Sequence, residues 1–241
     1  IKMKIALIGY GKMGKAIEEI AIQKGHTIAL KIDLENRHEF TADNLQKADV
    51  AIEFTGPETA AENIYSCIDA GIPVISGSTG WLSKLPEIQK YCLEKNGSFL
   101  YASNFSIGVN IFFELNSRLA RMMANFPEYE VSIDEVHHTQ KKDAPSGTAI
   151  SLAEQVIHEI PRKSSWINSQ PETATQLQIV SRRIDPAPGT HSVKYSSAID
   201  DIEIIHTAHN RKGFASGALM AAEYIVNRKG IHTMKDVLTI A

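Results

Sequence analysis

The stretch VHHTQKKDAPSGTA, Val136 to Ala149, gathers two adjacent histidines and two adjacent lysines just before a proline, a serine and a glycine. An imidazole changes charge near neutrality, so one histidine can hand a proton to a reacting group while the other donates a hydrogen bond. On an extended strand, neighbouring side chains point to opposite faces, which fits His137 and His138 to different tasks and not to one shared ion. They also lack the spacing of a His-x-His or HExxH metal site, so no metal is expected. Pro145 pushes Ala144 into an extended conformation, Ser146 is a good helix N-cap, and Gly147 and Thr148 open a helix whose apolar face is read as Ile150, Ala153 and Ile157. The unpaired amides of that first turn and the Thr148 hydroxyl can hold a carboxylate, with Lys141 or Lys142 adding positive charge. An ordinary capped helix with solvated lysines would satisfy the same residues apart from the histidines. The chemical reading is a site for a small dicarboxylate.

A second candidate is GYGKMG, Gly9 to Gly14, directly after a predicted strand and before a predicted helix. Glycines at 9, 11 and 14 let the backbone turn tightly and approach a pyrophosphate, which the helix amino terminus receives. The phosphate-loop candidates are therefore Gly9, Tyr10, Gly11, Lys12, Met13 and Gly14. Asp33 ends the next strand, 19 positions after Gly14, where an acid can accept hydrogen bonds from ribose hydroxyls. Such an acid favours NAD, while Lys31 and Arg37 lie close enough to meet the 2′-phosphate of NADP. Two more loops follow strands, GSTG and ASNF, so Gly77, Ser78, Thr79, Ala102, Ser103, Asn104 and Phe105 are read as cofactor-binding.

These residues need elements to hold them. Strand runs are read at Lys4 to Ile8, Thr27 to Ile32, Asp49 to Phe54, Pro73 to Ser76 and Ser98 to Tyr101, with helices at Met13 to Lys24, Glu58 to Ala70 and Ser83 to Glu94. Such alternation implies a Rossmann-like, doubly wound parallel sheet. From Ile107 the pattern becomes a long helix to about Met123, a strand Val131 to His138, and a helix from about Ser146. The segments Gln176 to Ser181, His191 to Ser196 and Ile202 to Ala208 follow, read as antiparallel strands, with Pro161 to Thr175 irregular and polar. The tail from about Ser216 returns to helix. The expected fold is therefore α/β, a Rossmann-like sheet plus an α+β domain with a mixed, mainly antiparallel sheet. The pattern changes near residue 106.

Composition bounds these readings. A chain of 241 residues with 43% hydrophobic content can build ordinary cores. Its apolar runs are far shorter than the ~20 residues that span a bilayer, and no charged-then-apolar leader precedes them. The chain is read as cytoplasmic. Cys67 and Cys92 are far apart and are read as buried thiols. A net charge of -3 gives no broad attraction to nucleic acid or to a membrane, so anion binding must be local.

Together GYGKMG, GSTG, NFSIGVN, EVHHTQKKDAPSGTA and RKGFASGA, in that order, resemble the 4-hydroxy-tetrahydrodipicolinate reductase (dihydrodipicolinate reductase) family. The resemblance implies reduction of that cyclic dicarboxylate with NADH or NADPH in lysine and diaminopimelate biosynthesis. It implies His137 as general acid, Lys141 as the second catalytic residue, and His138, Gly147 and Thr148 on the substrate. It also implies the boundaries 1–105 with 216–241 for the dinucleotide and 106–215 for substrate and oligomerisation, a homotetramer built through the substrate domains, and closure of hinged domains around the reactants. The chain departs from many members in a glycine loop one residue shorter and in Lys142, where an uncharged residue is common. Two other readings are a different two-domain dehydrogenase, against which no EKP-type lysine motif follows the nucleotide domain, and a nucleotide-sensing module, against which no partner-binding segment is visible.

Overall fold

The computed structural model describes residues 2–210 and 212–240. Arg211, which opens the RKGFASGA motif, lies outside the described residues. The chain begins with β1 (Lys4–Ile8), α1 (Lys12–Gln23), β2 (Thr27–Ile32), α2 (Ala42–Leu45), β3 (Val50–Glu53) and α3 (Ala60–Asp69). It continues through β4 (Val74–Ser76), α4 (Leu85–Glu94), β5 (Ser98–Tyr101), α5 (Ile107–Met123), β6 (Glu130–His137) and α6 (Gly147–Glu159). Then come β7 (Ser165–Ile167), β8 (Gln176–Arg183), β9 (Gly189–Ser196), β10 (Asp201–Ala208), α7 (Lys212–Ile225), β11 (Gly230–His232) and α8 (Met234–Val237). Two compact units result, residues 1–107 with 212–241 and residues 108–211.

The first unit holds a six-stranded sheet in the order β11-β5-β4-β3-β1-β2, parallel throughout. Ile5, Ala6, Leu7 and Ile8 are all buried, as a strand covered on both faces must be. Apolar side chains on one face join α3 and α4, and those on the other join α1 and α7. The order reverses at β1: β2 lies on one side, β3 and its successors on the other. This is the switch point at which open α/β sheets leave a crevice outside the strand ends.

Helix α7 starts at Lys212, earlier than the expected Ser216, and buries Ala215, Ala218, Leu219, Ala222 and Ile225. Its Gly217 sits so close to the chain at Phe105 that an added Cβ would lie 1.7 Å from the Phe105 carbonyl oxygen. Small residues let this helix press onto the first unit. The short β11 and α8 extend the same unit and were not foreseen.

In the second unit the sheet order is β10-β9-β6-β8-β7. The sheet is mixed as expected, and β9 runs antiparallel to both β6 and β10. The antiparallel reading fails for Gln176 to Ser181, because β8 runs parallel to β6, and β7 parallel to β8. The reason is the connection: β6 reaches β8 through α6, and a helical crossover returns the chain in the same direction. Strand β7 also gives Ser165–Ile167 a place in a segment expected to be irregular. Along α6 the buried positions are Ala149, Leu152, Ala153 and Val156, spaced by 3, 4 and 7 residues from the first. The expected face through Ile150 and Ile157 is half-buried at its side, because the sheet selects the stripe one position earlier.

Candidate active site

In the first unit the loops after β1 and β3 meet at the switch point. Gly9 has φ +92°, and an added Cβ would lie 2.0 Å from the Phe54 carbonyl oxygen, so the turn that packs these loops together excludes any side chain. Gly14 is equally confined, 2.5 Å from the Gly9 oxygen, whereas a Cβ on Gly11 would meet nothing within 4 Å. The loop is thus packed on its protein side and open on the other. Next to Gly9 and Gly11 lies a cleft of about 520 Å³ whose walls include Asp33, Arg37, Phe54 and Thr55. A neighbouring cleft of about 450 Å³ is lined by Gly11, Lys12, Met13, Gly77, Ser78 and Thr79, among others. Both are of the size that holds a small-molecule ligand.

The remaining expected residues of this unit are placed differently. Tyr10 directs its hydroxyl to Glu18, and its ring lies under Lys31. Lys31 in turn pairs with Glu18 at 2.8 Å, while Arg37 stands in the cleft wall. Ala102 and Phe105 are core residues; Phe105 packs its ring against Phe54 with centroids 5.7 Å apart. Asn104 accepts a hydrogen bond from the Ser106 amide at 2.8 Å, and Ser103 is exposed. Of the residues not foreseen, Phe54, Thr55 and Gly56 follow β3 at its carboxyl end, and the rule that picked the loops after β4 and β5 picks them too.

Behind these loops lies the buried carboxylate of Glu53. It accepts hydrogen bonds from the Thr55 amide (2.8 Å) and from the hydroxyls of Thr55, Ser76 and Ser78. One carboxylate therefore fixes two loops that line the cleft.

In the second unit the strand alternation of β6 puts His137 on the buried face and leaves His138 half-exposed. The ring beside His137 belongs instead to His191 of β9, with centroids 5.0 Å apart. Both adjoin Glu135, which is fully buried: its Oε2 lies 3.0 Å from His137 Nδ1 and 3.8 Å from His191 Nε2. The other oxygen, Oε1, accepts from the Ser146 amide at 3.1 Å and from Arg183 Nη2 at 3.2 Å. Burial opposes the charge on Glu135, but the adjoining His137 ring and the hydrogen bonds of Ser146 outweigh it and hold the carboxyl well below its ordinary range. Burial, followed by the neighbouring His137 ring, pushes His191 down to about 4, so this histidine is neutral at pH 7.

Glu135, His137 and His191 each offer an atom within 4.8 Å of the others, a spacing that a metal ion could bridge. The Arg183 guanidinium already supplies positive charge to that carboxylate, which makes the group an ion-pair cluster.

Ser146 caps α6 by accepting from the Ala149 amide at 3.2 Å, leaving the amides of Gly147 and Thr148 at the helix amino terminus. The same Ser146 is bonded to Glu135, so His137 and that amino terminus share one carboxylate. Lys141 turns to Asp143, its Nζ 2.8 Å from both carboxylate oxygens. Its backbone carbonyl is held by Arg183 Nε at 3.3 Å. Lys142 is exposed.

Residues 3–105 match the family model described as dihydrodipicolinate reductase, N-terminus, and residues 108–238 match dihydrodipicolinate reductase, C-terminus. The chain belongs to the dihydrodipicolinate reductase family. A 4-hydroxy-tetrahydrodipicolinate reductase of Christiangramia forsetii is 48% identical over 239 residues, 98% of each chain. One of Thermosipho africanus is 33% identical over 238 residues, again 98% of each. Among solved structures, dipicolinate-bound dihydrodipicolinate reductase from Paenisporosarcina sp. TG-14 superposes with TM-score 0.77 at 21% identity, covering 100% of both chains, a likeness of fold.

Proposed function

We propose that this chain reduces 4-hydroxy-tetrahydrodipicolinate to tetrahydrodipicolinate with NADH or NADPH, a step of lysine and diaminopimelate biosynthesis. Family membership supports the activity, and one observation carries its placement: a buried histidine and a helix amino terminus share the carboxylate of Glu135.

The first unit is the dinucleotide-binding half. Gly11 leaves room for the pyrophosphate, Asp33 faces the adenosine ribose, and the loops at Gly77–Thr79 and Ala102–Phe105 border the nicotinamide. NADH or NADPH, when bound there, supplies the hydride. The second unit holds the substrate. After loss of the 4-hydroxyl as water, hydride adds at C4, and the displaced electron pair moves toward C3 and the ring nitrogen. His137 gives the proton that neutralises this charge, and Lys141 stabilises the charge while it develops. Gly147 and Thr148 hold a carboxylate at the helix amino terminus, with His138 adding a hydrogen bond.

The working form is a homotetramer, a reading supported by edge strand β10, where Ile202 and Ile205 are 38% and 59% exposed. Among the described residues no helix is long and apolar enough to cross a membrane. Free, buried Cys67 and Cys92 support a reducing, cytoplasmic setting.

The test mixes the protein with NADH or NADPH and enzymatically generated substrate and follows the loss of nicotinamide absorbance. Turnover is expected with at least one cofactor, and His137→Gln is expected to lower kcat about 100-fold or more with cofactor affinity retained. Absence of turnover with both cofactors would overturn the activity, and equal losses of kcat and cofactor affinity would overturn the proton-donor role.

A further inference from the structure

Glu135 precedes His137 by two positions on β6, so the two side chains share a face of the strand. Three other elements converge on its buried carboxylate: Arg183 from β8, His191 from β9 and Ser146 from the cap of α6. An isolated carboxylate in such a place is costly, and only pairing and hydrogen bonds sustain it. Here Oε1 is occupied by the Ser146 amide and Arg183, while Oε2 points at His137 Nδ1. Among the described residues neither Oε2 nor Nδ1 makes a hydrogen bond, and the 3.0 Å approach between them is an ion-pair contact.

An ionised carboxylate only accepts hydrogen bonds, so the ring nitrogen facing it must carry the proton. Nε2 is then the one ring nitrogen of His137 free to exchange a proton with a ligand. Gly189 stands against that nitrogen: an added Cβ would lie 3.1 Å from Nε2, so only a residue without a side chain leaves room beside it.

We propose that Glu135 is the positioning residue of the proton donor: clamped by Arg183 and the Ser146 amide, it holds the His137 ring in the Nδ1–H form and counters the charge of the imidazolium, with Nε2 directed to the substrate. The proposal rests on the assignment of His137 as acid. Arg183 has a double part, because the same guanidinium also grips the backbone carbonyls of Lys141 and Asp143 and so holds the lysine-bearing loop beside the clamp.

A double-mutant cycle with Glu135→Gln and His137→Gln tests it. Glu135→Gln alone should lower kcat about 10- to 100-fold or more, as loss of a carboxylate that orients a functional histidine does at metal sites and in the catalytic triad, with KM for substrate and NADH affinity within about threefold of wild type. On the His137→Gln background the same substitution should change kcat less than about threefold, and Glu135→Asp should recover part of the loss. Equal losses on both backgrounds, or a loss confined to KM, would show that Glu135 does not act through His137. Wild-type turnover of His137→Gln would overturn the acid assignment itself; impaired His137→Gln with unimpaired Glu135→Gln would overturn only the positioning role. Should Glu135→Gln fail to fold, ¹⁵N spectra of the wild-type protein labelled on histidine decide the matter: the His137 signal, identified by its loss in His137→Gln, should report a protonated Nδ1 in both charge states. An unprotonated Nδ1 overturns the proposal.

Discussion

The Ser78 hydroxyl donates to Glu53 at 2.8 Å and accepts from the Thr55 amide at 2.8 Å, which ties the loop after β4 to the loop after β3. The cleft at the switch point is therefore shaped by a buried carboxylate that stands behind its wall.

Removing that tie should loosen the cleft. Ser78→Ala removes one of several donors to the buried Glu53 carboxylate and one of the two acceptors of the Thr55 amide, which keep their contact with each other, a loss of about 1 kcal/mol. NADH affinity, measured by fluorescence titration, is expected to fall up to about tenfold, with KM for the proposed substrate unchanged. An unchanged NADH affinity would show that the loop holds its shape without Ser78.

Asp33 and Arg37 stand in the wall of one cleft with opposite charges. Asp33→Asn should raise the ratio of NADPH to NADH turnover, and Arg37→Ala should lower it, each on the order of tenfold, or about 1.4 kcal/mol. Lys31→Ala should leave the ratio nearly unchanged, because Lys31 is committed to Glu18. A ratio that follows Lys31 and ignores Arg37 would reverse the assignment.

His191 makes stability depend on pH. Its folded value of about 4 lies below the ordinary 6.5, so the unfolded chain binds the proton more readily. Its contribution is complete above pH 6.5 and is lost as pH falls toward 4, by about 3 kcal/mol at most. Glu135, also depressed, adds its loss below its ordinary 4.5. Thermal melting between pH 7.5 and 5 should show a drop in Tm that is smaller in His191→Phe; an equal drop in both proteins would remove His191 as the cause.

Gly217→Ala should destabilise the first unit. Its Cβ would be forced to within 1.7 Å of a backbone oxygen, which rotation of a side chain cannot relieve. A loss of about 1–3 kcal/mol or more in urea denaturation is expected. Ala218→Gly, which removes volume without a clash, should cost less; the reverse order would mean that α7 shifts freely on its sheet.

Much of this was readable along the chain. The alternation from β1 to β5, the glycine turn, α5 and the Ser146 cap of α6 lie where patterning placed them. These signals are local: a strand, a cap or a tight turn is specified by residues within a few positions of one another. What patterning does not reach is partners. Folding sets Lys31 beside Glu18, and Gln176 to Ser181 looked antiparallel until the crossover through α6 set its direction.

By itself, then, the amino-acid order determined the two kinds of layered architecture, the families of loops at strand ends, and the pairing of a histidine strand with a capped helix. Only the tertiary structure decided which side chains share Glu135. Arg183 and His191 lie 48 and 56 positions from it in the sequence, and no spacing rule reaches that far. Strand register between β6, β8 and β9 brings them together, and that register is chosen by which faces of the strands bury best against α5 and α6.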